Sequence, residues 1–203
     1  MIAIIQAGGQ SSRMGEDKAW IVIDGHSMIE HVIAAAQKIT TAIAIVINPA
    51  NPNGRKYEAL AQSTEAKLMH DLHDHRGPLG GIETGLKFCD AEQAALILAC
   101  DLPFVSAEFL RLLQQIHQTE NSLLTVPLDQ SGRPQMLAAI YSPACLPHVS
   151  DLLADNELKA RLLCKRVKTR LVGFSEYSYL PEAEKFLVNL NTPEELPIVA
   201  SNA

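Results

Sequence analysis

The span from Gln6 to Lys18 puts small side chains, hydroxyls and two permanent cations close together: Ala7-Gly8-Gly9-Gln10-Ser11-Ser12-Arg13-Met14-Gly15, then Glu16, Asp17 and Lys18. Glycines let backbone N–H groups turn toward an anion and approach it closely. The Arg13 guanidinium and the Lys18 ammonium add charge suited to phosphate oxygens. This is chemistry for holding a nucleotide's phosphates. The better-known phosphate loops do not fit. Five residues separate Gly9 from Gly15 where a P-loop has four, acids precede Lys18, and the Gly-x-Gly-x-x-Gly spacing of dinucleotide sites is missing.

A second signal is Asp101. The apolar run Ala95-Leu96-Ile97-Leu98-Ala99-Cys100 reads as a buried strand, and Asp101-Leu102-Pro103-Phe104 ends it. A carboxylate at the tip of such a strand is costly unless something positive neutralises it. Mg2+ suits the position, because it takes one or two carboxylates together with phosphate oxygens and water. The competing reading is an Asp that caps the following turn. Gly77-Pro78-Leu79-Gly80-Gly81 offers a stiffened turn with room for close approach, a plausible wall for the same pocket. His70, His73 and His75, with Asp71 and Asp74, lack a zinc-ligand spacing and read as exposed or substrate-edge residues.

The elements that would position these residues alternate. Strands are expected at 2–6, 43–48, 67–69, 95–99 and 123–127. Helices are expected from the capping box Ser27-Met28-Ile29-Glu30 to about Ile39, near 56–62 and 80–88, and over 107–118 behind Ser106. Such alternation implies right-handed crossovers and a mainly parallel sheet covered on both faces. Beyond Tyr141 the pattern is less regular. A returning strand at 135–141 leads to helical stretches near 146–153 and 157–167 and to strands around 170–174 and 186–190. Thr192-Pro193-Glu194-Glu195 then opens a last helix. In open α/β sheets ligands bind beyond the carboxyl ends of the strands. Gly8 to Lys18, Asn48, Asp71 and Asp101 all fall there.

The chain has 203 residues, 47% hydrophobic and 20% charged, as expected of one globular domain with a substantial core. A net charge of −6 argues against a general nucleic-acid binder. The first residues have no basic leader, and the longest apolar run is strand-length, so neither a signal peptide nor a membrane span is expected. Cys89, Cys100, Cys145 and Cys164 have no paired spacing and suit a reducing cytoplasm.

In order along the chain stand Ala7-Gly8-Gly9-x-Ser11-x-Arg13-Met14-Gly15-x-Asp17-Lys18, Gly77-Pro78-Leu79, Asp101-x-Pro103-Phe104, Arg133-Pro134-Gln135 and Asn189-x-Asn191-Thr192-Pro193-Glu194. Together they resemble the molybdenum cofactor guanylyltransferase family, from Ile2 to about Val199. The resemblance implies a three-layer αβα, Rossmann-like nucleotidyltransferase fold with a mostly parallel sheet. It implies transfer of GMP from GTP to the terminal phosphate of the molybdenum-molybdopterin cofactor, with release of pyrophosphate. Arg13, Lys18 and Asp101 would be catalytic, and Asp101 would bind Mg2+. Gln6, Ala7, Gly8, Gly9, Lys18, Asn48, Asp71 and Asp101 would line the nucleotide. Pro78, Leu79, Gln135, Asn189 and Asn191 would line the pterin substrate.

One departure stands out: the family usually opens its first motif with an apolar residue where this chain has Gln6. Cytidylyltransferases of the same cofactor generally carry Ala-Ala-Gly where this chain has Ala7-Gly8-Gly9. A missing Cβ at Gly8 makes room for a purine, which favours GTP over CTP. The alternatives are that cytidylyltransferase activity, a sugar-phosphate nucleotidyltransferase, and a catalytically silent nucleotide-binding module.

The resemblance also implies a single domain, with a nucleotide half over about 1–105 and a pterin half over about 106–200. It further implies a cytoplasmic setting, cofactor-assembly proteins and acceptor molybdoenzymes as partners, and no nucleic acid or membrane. Lys159, Arg161, Lys165 and Arg166 read equally as a pterin-phosphate site or as a solvated helix face, and stay outside the catalytic set.

Overall fold

The computed structural model describes residues 1–7, 17–73 and 75–190. The expectations for Gly8, Gly9, Arg13, Asp74, Asn191 and the last helix lie outside the described residues. In chain order the elements are β1 (Ile2–Gln6), β2 (Val22–Ile23), β3 (His26–Ser27), α1 (Met28–Gln37), β4 (Ile43–Ile47), α2 (Gly54–Ser63), β5 (Lys67–His70) and α3 (Gly77–Lys87). They continue with β6 (Ala95–Ala99), α4 (Ala107–Glu120), β7 (Leu124–Pro127), β8 (Ala138–Tyr141), α5 (Leu146–Ala154) and β9 (Thr169–Val172), with short 3-10 turns between.

Seven strands form one sheet in the order β5-β4-β1-β6-β8-β7-β9. The first four are parallel neighbours, β8 runs antiparallel to both β6 and β7, and β9 rejoins in parallel with β7. The sheet is mostly parallel, with one reversed strand. That reversal comes from the turn at Asp129, whose carboxylate accepts from Ser131 N at 2.8 Å and Arg133 N at 3.0 Å.

Alternation along the strands divides the core into two layers. Ala3, Ile5, Ile43, Ile45, Ile47, Leu96 and Leu98 face the layer of α1, α2 and α4. Ile4, Ala44, Val46, Ala95 and Ile97 face the layer of α3 and α5. The three-layer αβα arrangement follows from strands that are apolar on both faces. Helix α3 packs tightly on β1. A Cβ at Gly85 would meet Ile4 Cδ1 at 2.8 Å, so the glycine permits that approach.

Helix α1 opens as expected, with Glu30 Oε2 accepting from Ser27 N at 2.7 Å and Ser27 Oγ at 2.5 Å. Three expectations need correction. The strand expected at 135–141 starts only at Ala138, because Gln135 N pairs with Pro127 O in the hairpin turn. Residues 157–167 hold a 3-10 turn, Ala160–Lys165, in place of a helix. The apolar run 186–190 is no strand: Phe186 and Leu187 pack into the α1/α2/α4 layer, and Leu190 N donates to Asp101 O at 3.1 Å. The small β2–β3 hairpin was not foreseen; its turn places Asp24 and Gly25 at φ 48° and 84°.

Candidate active site

A cavity of about 870 Å³ opens at the carboxyl ends of β1, β4, β5 and β6. Its first wall carries Gln6, Ala7, Asp17, Lys18, Asn48, Asp71 and Asp101, residues spread over 95 positions of the chain. Four parallel strands ending on one side bring them together, as the crossover rule requires.

Asp101 follows β6 directly. Burial pushes its carboxyl above the ordinary range, and the Lys18 charge and its own backbone N–H only partly counter this. Among the described residues it is a desolvated acid whose burial Lys18 only partly offsets. Asp17, on the same wall, is differently placed. Its Oδ1 accepts from Ala19 N at 3.2 Å, and its Oδ2 from the Tyr57 hydroxyl at 2.8 Å and Asn51 Nδ2 at 3.2 Å. Three protein donors already satisfy it. The donor set thus favours Asp101 over Asp17 as a cation ligand. Among the described residues no three His, Cys, Asp or Glu cluster to hold a metal. A cation here would take one protein carboxylate and fill its other positions with phosphate and water oxygens, as Mg2+ does.

Asn48 Oδ1 accepts from Ala50 N at 2.8 Å, which fixes the loop after β4. Asp71 Oδ1 accepts from Thr84 Oγ1 at 2.8 Å and His73 N at 3.1 Å, so α3 holds the loop after β5. Gln6 Nε2 donates to Pro78 O at 3.3 Å, and a Cβ on Gly81 would meet that amide at 2.7 Å. The departure at Gln6 therefore ties the end of β1 to the first turn of α3.

The rest of the lining comes mostly from the later half of the chain: Gln135, Leu158, Lys159, Arg161 and Asn189 form a second wall together with Arg76 and Pro78 at the start of α3. Gln135 Nε2 donates to Asp129 Oδ2 at 2.7 Å, and Arg76 Nη1 to Asn156 Oδ1 at 2.5 Å. Leu79 lies apart. It is fully buried in the core beneath α3 and is not among the residues lining the cavity.

Lys159 and Arg161 are the residues that sequence reasoning left undecided. A 3-10 turn, tighter than the expected helix, brings both to the cavity, while Lys165 and Arg166 stay outside, Arg166 pairing with Asp155. His73 also lines the cavity, held by the Glu83 carboxylate. Its only sequence signal was the histidine-rich loop.

Residues 3–169 match the family model of the MobA-like NTP transferase domain. A molybdenum cofactor guanylyltransferase of Vibrio cholerae is 30% identical over 194 residues, 95% of this chain and 88% of that protein. The chain belongs to the molybdenum cofactor guanylyltransferase family. A relative from Carboxydothermus hydrogenoformans, named a probable molybdenum cofactor guanylyltransferase, is 32% identical over 94% of this chain and 90% of its own length. The fold is that of a crystal structure from Archaeoglobus fulgidus described as molybdopterin-guanine dinucleotide biosynthesis protein A. It has a TM-score of 0.81 at 21% identity, with both chains fully covered. Among the described residues of this family member, no helix is long and apolar enough to cross a membrane.

Proposed function

We propose that this protein transfers GMP from GTP to the terminal phosphate of the molybdenum-molybdopterin cofactor and releases pyrophosphate. The observation that carries this reading is one cavity lined by cations from distant parts of the chain: Lys18 beside Asp101 at the strand ends, and Arg76, Lys159 and Arg161 in the same lining. Two polyanionic substrates need such an arrangement, because bringing them together is the main electrostatic cost of the reaction.

The first wall would take GTP, with Gln6, Ala7, Gly8 and Gly9 along the nucleotide and Lys18 and Arg13 on its phosphates. Asn48 and Asp71 would recognise base and ribose, Asp71 through the Oδ2 that accepts no bond among the described residues. The second wall would take the pterin substrate, with Pro78, Gln135, Asn189 and Asn191 along it and Lys159 and Arg161 on its phosphate. On this reading the nucleotide half covers about 1–105 and the pterin half about 106–200, with Pro78 the one residue of the first half that would border the pterin substrate.

A phosphate oxygen of the pterin substrate attacks the α-phosphorus of GTP. One P–O bond forms, the bridging bond to the β-phosphate breaks, and pyrophosphate carries away the charge. The attacking oxygen is already anionic at neutral pH, so no general base is needed. Lys18 and Arg13 offset charge that builds on the phosphoryl oxygens and the leaving group. Asp101 would hold Mg2+, which when bound polarises phosphoryl oxygens and neutralises pyrophosphate. The reading places the protein in the cytoplasm, between proteins that supply the pterin and molybdoenzymes that accept the product.

The test is pyrophosphate release by purified protein with Mg2+, the pterin cofactor and each of the four nucleoside triphosphates. GTP-selective, pterin-dependent release is expected. Preference for CTP would make the chain a cytidylyltransferase, and no release with any triphosphate would overturn the reading.

A further inference from the structure

Asp17 precedes Lys18, yet its bonds anchor it to elements that lie far off in sequence. The Tyr57 hydroxyl that holds its Oδ2 comes from the middle of α2, where the ring is fully buried. Asn51, the second donor to Oδ2, sits in the loop after β4, and its own N–H donates to Asn48 O at 2.9 Å. The same carboxylate caps the 3-10 turn Lys18–Trp20, in which Trp20 N donates to Asp17 O and Ile21 N to Lys18 O, both at 3.0 Å. The Trp20 ring packs against Tyr57 with centroids 5.0 Å apart, and Lys56 Nζ lies 5.6 Å above it. Burial, with Cys100 and Asp17 close by, pushes the phenol far above its ordinary ionisation range, so its hydroxyl remains a donor.

The short turn that carries Lys18 into the cavity spans only Lys18–Trp20. A three-residue 3-10 helix is weak in isolation. Its placement is therefore set by what packs and grips it: Ala19 is buried in the core, and the buried group that grips the cap carboxylate is Tyr57.

We propose that Tyr57, acting through the Asp17 carboxylate, is a positioning residue for Lys18, fixing the turn from which the ammonium reaches the nucleotide phosphates beside Asp101. Through Asn51 the same carboxylate joins that turn to the loop of Asn48, so that phosphate and base or ribose contacts share one anchor. The inference rests on Lys18 acting on the nucleotide, and its test separates the two ideas.

Tyr57→Phe removes one oxygen and keeps the ring against Trp20. Turnover is measured in this variant, in Lys18→Ala and in the double variant, with GTP, Mg2+ and the pterin cofactor. GTP binding is followed in parallel by the emission of Trp20, the chain's one tryptophan. Tyr57→Phe is expected to lower kcat/KM roughly 10–100-fold in the parent, the range for losing a hydrogen bond that aligns a charged group. On Lys18→Ala the same change should add less than about threefold, since the group it positions is gone. Equal losses in both backgrounds would mean a general structural effect and overturn the proposal. Parent-like turnover of Tyr57→Phe beside a crippled Lys18→Ala would also overturn it, while leaving the proposed reaction intact. Full activity of Lys18→Ala would overturn the role of Lys18 and the proposal with it. If Tyr57→Phe folds poorly, Asp17→Asn takes its place in the same cycle and carries the same expectations.

Discussion

Glu83 is a buried carboxylate with a calculable pH signature. It sits on α3 at 3% exposure. Its Oε1 accepts from Ser150 Oγ of α5 at 2.5 Å, and its Oε2 from Lys87 Nζ at 2.9 Å and from the His73 ring. Burial alone would raise its pKa, but the three donors outweigh it and bring the group from 4.5 down to about 2. At 1.36 kcal/mol per pH unit, that difference corresponds to about 3 kcal/mol of folding stability.

The sign follows from a folded-state pKa below the unfolded one. The contribution is complete above the unfolded value of 4.5 and is lost as pH falls toward about 2. Glu83→Gln keeps the shape but removes the buried charge that Lys87 and His73 meet, a loss that solvent around the half-exposed Lys87 partly screens. Urea denaturation should therefore show the variant about 2–3 kcal/mol less stable than the parent at pH 7. The gap should narrow steadily at pH 4 and pH 3. Acids common to both proteins cancel in the comparison. A gap that stays constant down to pH 3, or no gap at pH 7, would refute the reasoning. Function should respond too, because the same carboxylate holds His73 at the cavity while its neighbour Thr84 holds Asp71.

Two glycines of α3 should behave in opposite ways. Gly85→Ala places a methyl 2.8 Å from the buried Ile4 Cδ1. Overpacking of ~1–3 kcal/mol should exceed the ~1 kcal/mol helix gain and lower Tm in thermal unfolding. Gly81→Ala meets first the end of the flexible Gln6 side chain, at 2.7 Å; shifting it loses the bond to Pro78 O but gains helix propensity, so Tm should hold while the displaced amide raises KM for GTP. Asp101→Asn should lose at least ~100-fold in turnover by analogy with a deleted charge-stabilising group. Its Tm should match or exceed the parent's at neutral pH: burial raises the Asp101 pKa, so the charged form burdens the folded state as pH climbs through that value. A clear drop in Tm would show that the carboxylate is structurally satisfied. Lys159→Ala and Arg161→Ala should raise KM for the pterin substrate and leave KM for GTP within about twofold, read by initial rates at saturating partner substrate.

The half of the cavity built from parallel strand ends was legible because burial on both faces writes each strand as a continuous apolar run. The residue that ends the run marks the rim. Asn48 and Asp71 needed no more than that. The other half is written differently. Phe186 and Leu187 form an apolar run like a strand's, yet they fill a helix layer, and periodicity over five residues cannot separate the two. Lys159 and Arg161 were ambiguous because a helix and a 3-10 turn aim their basic residues differently, and nothing local chose between them. Leu79 failed as a pocket residue for a different reason: its neighbour Pro78 lines the cavity, but its own side chain is buried in the core. The β2–β3 hairpin carried an Asp24-Gly25 turn signal, though its two-residue strands are too short to show alternation.

The pair Asp17 and Asp101 shows where sequence pattern ends and geometry begins. Both are acids beside a glycine loop or a strand end, both line the cavity, and either could be taken for a cation ligand. What separates them is the number of protein donors each already holds. Asp17 accepts three, one of them from a tyrosine 40 positions away, whereas burial leaves Asp101 with too little positive charge. A carboxylate saturated by fixed donors has little to gain from a cation that must give up its water to reach it. One that is desolvated and under-compensated gains most. The proposed division of labour, Asp17 positioning and Asp101 binding, would thus be set by partners from α2 and the β4 loop, which no motif around Lys18 contains.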